Sequence, residues 1–321
     1  ASAPVLHLRH DAQDPGSLPS DSIGVVQCIG DELWVGTSKG LVHRPLSARG
    51  NGGFLPVVLA DVGVDGVSSL LQASDGRIWI GTRNHGALVL EKGGSTARRS
   101  KEAGQAKVGE WIYQMTEPQP GEIWLGTYGQ GIIVVNAKTG QQKRINADPL
   151  QPDSLTDDII WSFYKGRAGQ LWIGTGRGLN RVDTGQNAIS TLYGSKQRGK
   201  ALSDNTVMSV AVMPDGLVWL GTSDTGIDIL DPLRGRVAQL RPDAAHPARA
   251  LQRDSVFAIW PTGKDRVMLG TNRGLYRASR NAKEVLRQSI PGRSNLESVR
   301  ILMPEGQNWW VGGDIDGLWR L

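Results

Sequence analysis

Short apolar runs bounded by turn residues recur along the whole chain at a near-constant interval. The sharpest is a pentapeptide with a large apolar residue at its second position. It reads LWVGT at 33–37, IWIGT at 78–82, IWLGT at 123–127 and LWIGT at 171–175. It continues as VWLGT at 218–222, VMLGT at 267–271 and WWVGG at 309–313. From Trp34 to Trp310 the mean spacing is 276/6, or 46 residues. Each unit adds three further elements. An apolar run lies upstream, such as Ile23 to Ile29 or Val207 to Met213. A Gly-apolar pair follows, such as Gly40-Leu41 or Gly226-Ile227, and then a more polar run such as Gln141 to Ile145. Turn pairs such as Asp75-Gly76 and Asp215-Gly216 separate the runs and tolerate positive φ. No segment sustains a helical i, i+3, i+4, i+7 pattern.

Four short strands per unit at this period predict β-propeller blades. The expected fold is all-β: a single seven-bladed β-propeller with four antiparallel strands per blade. Seven units of 46 fill the 321 residues, so residues 1–321 are expected to form one domain. The last unit stops after its third strand. The segment Val5 to His10 has no unit of its own, and residues 4–10 are expected to supply the outer strand of the seventh blade. Two later stretches support this: Asp14-Pro15-Gly16-Ser17-Leu18 parallels Gln151-Pro152-Asp153-Ser154-Leu155, which follows a fourth strand. Closing the ring in this way would cover edges that an open sheet exposes.

Composition narrows the remaining possibilities. A single cysteine, Cys28, excludes an internal disulfide and any paired-cysteine zinc site. No apolar run approaches the ~20 residues of a membrane helix. The net charge of +5 is spread over the chain and accompanies no nucleic-acid motif. Gly174-Thr175-Gly176-Arg177-Gly178 has the look of a phosphate loop, but no helix follows it and its glycines recur as turns. The five histidines are scattered, without metal-ligand spacing.

The phrase at 202–230 joins Leu-Ser-Asp-Asn-Thr-Val-Met-Ser-Val, Pro-Asp-Gly-Leu-Val-Trp-Leu-Gly-Thr and Gly-Ile-Asp-Ile-Leu; a similar one spans 155–183. These phrases resemble the two-component regulator propeller repeat. The resemblance implies the periplasmic sensor part of a hybrid histidine kinase or diguanylate cyclase receptor, with an oligosaccharide or other polar or anionic small molecule bound at the channel mouth. It implies no enzymatic activity in this chain, catalysis residing in an output domain outside it, and no cofactor or metal. The partners it implies are that ligand and a second propeller or neighbouring receptor domain. Neither nucleic acid nor membrane contact by this chain is expected. The start, Ala1-Ser2-Ala3-Pro4, suits a chain freed from a signal peptide.

Within a repeat, a residue type found in every unit serves the unit, and a deviating one is free to serve a ligand. The pentapeptide tryptophans are therefore assigned to packing between blades. An acidic series, Asp21, Asp65, Glu110, Asp158, Asp254 and Glu297 with Asn205 in the fifth unit, lies two residues before each first strand. It reads either as a cation-binding ring or as turn residues accepting backbone N–H groups. Directly after the first aliphatic residue come Gly24, Ser68, Tyr113, Trp161, Met208, Phe257 and Arg300, which vary widely. The turn after the pentapeptide varies too, with Lys39, Arg83, His85, Tyr128, Arg177, Asp224, Arg273 and Asp314. The ligand-binding candidates are accordingly Lys39, Arg83, His85, Tyr113, Tyr128, Trp161, Arg177, Asp224, Phe257, Arg273, Arg300 and Asp314. Two other readings stay open. One is a stand-alone lyase or hydrolase acting on a polysaccharide, using His85 with Tyr128 or Asp224 with Asp314. The other is a scaffold that docks a partner.

Overall fold

The pentapeptide strands are buried on both faces, which explains why they are apolar throughout rather than alternating. In the computed structural model Trp34, Trp79, Trp124, Trp172, Trp219 and Trp310 are all at most 5% exposed. The residues described are 5–60, 62–99, 111–151, 153–166, 169–183, 188–192, 201–241, 251, 255–263, 265–282, 284–290 and 298–321.

The fold is an all-β propeller, but not the expected seven-bladed one: the structure shows five blades. Five four-stranded blades stand as sheets of their own. Repeat three forms one from Ile112–Gln119, Glu122–Thr127, Ile132–Asn136 and Gln142–Ile145. Repeats four, five and six form the next three, beginning at Ile160–Lys165, Val207–Val212 and Val256–Thr262. The fifth orders Leu6–Leu8, Leu318–Arg320, Asn308–Gly312 and Ile301–Glu305. Repeats one and two do not form blades of their own but share one eight-stranded sheet. Their outer strands, Leu55–Leu59 and Thr96–Arg99, pair in parallel through Val58 with Thr96 and Leu59 with Ala97. The amide N–H groups of Val58 and Ala60 donate to the carbonyls of Ser95 and Ala97, both at 2.9 Å. An outer strand otherwise carries unpaired backbone groups, and this pairing satisfies them. The two sequences, LPVVL and TARR, carry no periodic sign of it.

The chain packs as two compact units, residues 1–144 with 303–321, and residues 145–302. In the first, Leu6–Leu8 pairs antiparallel with Leu318–Arg320, a shorter outer strand than the expected span 4–10. His7 stacks on Trp319 with ring centroids 3.6 Å apart. The two loops compared by sequence have one construction. The Ser17 and Ser154 hydroxyls accept from the Asp11 and Asp148 N–H groups at 2.9 and 3.0 Å and donate to the same residues' carbonyls. Leu18 and Leu155 are buried beneath them.

The pentapeptide glycine and threonine each answer to one physical demand. A Cβ on Gly221 would lie against the Ser209 hydroxyl and 2.5 Å from the carbonyl oxygen of Val256, on the next repeat. Gly174 faces Val207 O at 2.6 Å and Gly270 faces Val299 O at 2.7 Å in the same way. The strands approach too closely for any side chain there. The threonine hydroxyl staples the following turn: Thr82 donates to Gly86 O, Thr175 to Gly178 O and Thr222 to Gly226 O, at 2.8–3.0 Å. It also accepts the N–H of His85, Arg177 and Thr225.

Candidate functional site

The first strands of repeats one to six are interrupted at the same place. The register shifts between Ile23 and Val25, Val67 and Ser69, Ile112 and Gln114, Ile160 and Ser162, Val207 and Ser209, and Val256 and Ala258. The skipped residues are Gly24, Ser68, Tyr113, Trp161, Met208 and Phe257, the variable series noted in the sequence. A β-bulge releases one side chain from the ladder and re-aims it. The residue before each bulge pairs with the pentapeptide threonine, as Val67 does with Thr82. Bulge and turn therefore lie at one edge of each sheet. Backbone hydrogen bonds tie them, as from Arg83 N–H to Gly66 O at 2.9 Å and Gly176 N–H to Ile159 O at 3.0 Å.

The described members of the acidic series act as backbone acceptors. Asp21 accepts the N–H of His10 and Asp158 that of Ala147, both at 2.7 Å. Asn205 is exposed. Glu110, Asp254 and Glu297 lie outside the described residues. Among the described residues no group of three or more His, Cys, Asp or Glu side chains is arranged to hold a metal ion.

Asp65 is the exception in the series. Its side chain is fully buried, and its oxygens accept from Gly66 N–H, from the backbone and side chain of Asn84, and from His85 Nδ1 at 2.7 Å. Burial pushes this carboxyl up, but the hydrogen bonds, led by His85, outweigh burial and hold it below the usual carboxylate range. An ionised carboxylate only accepts, so Nδ1 of His85 carries the proton in this hydrogen bond. Next to it, the Arg83 stem lies along Gly66, where a Cβ would sit 2.9 Å from Cδ. The Arg83 guanidinium stands over the Trp111 ring, 5.3 Å from its centroid. Tyr113 and Tyr128 tilt against the same indole at 5.5 and 5.3 Å. Tyr128 is 49% exposed, and its N–H donates to Trp111 O at 3.1 Å.

Three of the sequence candidates, Arg83, Tyr113 and Tyr128, thus converge on Trp111, and His85 lies two residues from Arg83 in the same turn. Lys39 is exposed in the turn of repeat one, and Asp314 is half-buried in that of repeat seven. In the second unit Arg177 pairs with Asp157 at 3.2 Å while 77% exposed. Asp224 is exposed and held through its N–H by Asp204. Arg300 stacks over Phe257 at 4.3 Å. Trp161 is half-buried at its bulge, and Arg273 is exposed. Asp224 and Asp314 belong to different compact units. Sequence reasoning missed Trp111, which precedes a first strand and has no counterpart in the repeat. Its proximity to the variable Tyr113 was the available signal. Reasoning also grouped Asp65 with the turn acids, although His85 already stood in the turn it holds.

Two stretches, residues 62–84 and 154–177, match the family model described as two component regulator propeller. No curated protein matches the chain. Among solved structures, the chain is similar to the extracellular domain of the putative one component system BT4673 from B. thetaiotaomicron. The TM-score is 0.75 at 15% identity, over 98% of this chain and 39% of that one. The extracellular domain of the putative hybrid two component system BT3049 from the same organism gives 0.51 at 16% identity, over 97% and 52%. YCF48 bound to D1 peptide gives 0.66 at 13%, over 99% and 95%. The chain thus spans about half or less of these two extracellular domains. Among the described residues no helix is long and apolar enough to cross a membrane.

Proposed function

Because the chain carries two component regulator propeller repeats, we propose that it is the extracytoplasmic, periplasmic sensing propeller of a bacterial signal-transduction receptor. Its ligand is a polar or anionic small molecule or oligosaccharide, and signalling is carried by receptor parts outside this chain. The observation that carries the reading is that Arg83, from the turn of repeat two that also holds His85, meets Trp111, Tyr113 and Tyr128 of repeat three. The folds of the two receptor domains support it. In the first six repeats the glycine, threonine and large apolar residue of the pentapeptide recur without these five residues. Their arrangement offers an aromatic wall with a cation over it, which together suit a ring compound with polar or anionic substituents. A ligand signals only through different affinity for two receptor states, so binding is the first property to test.

The experiment is thermal unfolding of the purified chain against a broad panel of neutral and acidic oligosaccharides, free sugars and small organic acids. Binding at 100 times Kd stabilises by about 2.7 kcal/mol, a readily measured rise. The expected result is at least one stabilising compound whose effect is lost in Arg83→Gln and Tyr128→Ala. An unchanged melting temperature across the panel would sink the proposal.

A further inference from the structure

The geometry points to a carboxylate-recognising subsite built by Arg83, His85 and Tyr128, whose ligand carries its carboxylate on a ring. This rests on the sensing proposal above and narrows it to one chemical class.

Arg83 carries the inference. Among the described residues its guanidinium makes no ion pair, in contrast to Arg177 with Asp157 or Arg320 with Glu305. It is nonetheless fixed, with its stem on Gly66 and its head over Trp111. A guanidinium lying over an indole keeps its in-plane N–H fork for an acceptor, and a planar carboxylate matches that fork. Arg83 is exposed, and these contacts lower the ordering cost that an exposed arginine incurs on binding.

His85, two residues further along the same turn, is held at 2.7 Å by the buried Asp65 carboxylate, which anchors the turn that carries Arg83. Tyr128, half-exposed and braced on Trp111, supplies the surface against which the ligand ring lies. Two sources present this chemistry: uronic acid saccharides and hydroxylated aromatic carboxylates.

The test is calorimetric titration of the whole chain with four sets of ligands. They are uronate mono- and oligosaccharides, hydroxybenzoates, the neutral sugars matching the uronates, and inorganic sulfate and phosphate. The inference expects one carboxylate set to bind and its neutral counterpart to bind at least tenfold more weakly. Arg83→Gln should cost at least tenfold, and Arg83→Lys should recover only part of that. Lys138→Gln, in an exposed turn elsewhere, should leave affinity unchanged. Circular dichroism and melting of each variant separate loss of binding from loss of folding. Uronate or hydroxybenzoate binding identifies the source. Equal affinity for neutral sugars, unaffected by Arg83→Gln, overturns the carboxylate assignment and leaves the sensing proposal standing. So does a stabilising compound from the broad panel when all carboxylates fail. Failure of every ligand in both experiments overturns both.

Discussion

A single methyl group placed at Gly221 measures how closely the repeats are pressed together. Its Cβ would meet the Ser209 hydroxyl and stand 2.5 Å from the Val256 carbonyl oxygen and 2.9 Å from the Val256 Cβ. None of these atoms yields easily. Val256 is fully buried and paired with Thr271, and the Ser209 hydroxyl donates to that same Val256 oxygen at 2.8 Å. Overpacking of this kind costs about 1–3 kcal/mol. Displacing the Ser209 hydroxyl from its only acceptor adds roughly 1–3 kcal/mol. We expect Gly221→Ala to destabilise by about 4 kcal/mol in urea unfolding followed by circular dichroism. Gly216→Ala is the control. Its φ is +87° and a Cβ there meets nothing within 4 Å, so it isolates backbone strain, roughly 1–2 kcal/mol. Equal losses at Gly221 and Gly216 would refute the close-approach argument. The double variant Ser209→Ala, Gly221→Ala tests which atom matters. Removing the hydroxyl leaves the Val256 carbonyl in place, so only part of the loss should return. Complete recovery would show that the neighbouring backbone is no constraint.

Other expectations can be checked with the same unfolding assay. Thr271→Val removes a buried hydroxyl that donates to Gly274 O and accepts Arg273 N–H, and should cost about 1–3 kcal/mol; a loss below a few tenths would deny the staple its role. Arg44 is 1% exposed, its guanidinium donates to the carbonyls of Ala48, Gly50 and Gly52, and burial pulls its pKa down. Arg44→Met should cost roughly 3–5 kcal/mol, because three carbonyls lose their donor; a neutral result would mean the loop closes without it. The Asp65 carboxyl is held below its unfolded value, so its stabilisation is complete above about pH 4 and disappears as pH falls through the folded value. The stability gap between the wild type and Asp65→Asn should therefore narrow from pH 6 towards pH 3, and a gap constant over that range counts against the assignment.

What the sequence made legible follows the strength of its periodicity. The pentapeptide strands were plain because burial on both faces demands unbroken apolar runs. The N-terminal strand's pairing was readable because Ser17 and Ser154 sit in matching phrases and build matching loops. The variable position also stood out, although its cause, a bulge repeated at Gly24, Ser68, Tyr113, Trp161, Met208 and Phe257, appears only in the register. The fusion of repeats one and two was hidden because backbone groups make it, and Val58 and Thr96 carry no complementary pattern. Trp111 was hidden for the opposite reason: it belongs to one repeat alone, and a comparison among repeats is blind to such a residue. Asp65 shared its sequence position with Asp21 and Asp158, and only the local fold turned it towards His85.

The parallel seam between Leu55–Leu59 and Thr96–Arg99 bears on how such a chain can change its repeat number. Propeller genes grow and shrink by duplicating or exchanging units, and a unit is portable when its outer strand owes nothing to a particular neighbour. Repeats four, five and six meet that condition as separate sheets. Repeats one and two do not: a crossover between them would strand the Val58 and Ala60 amides beside a foreign outer strand. They should be inherited as a pair, and viable recombinants should break at the junctions on either side of it.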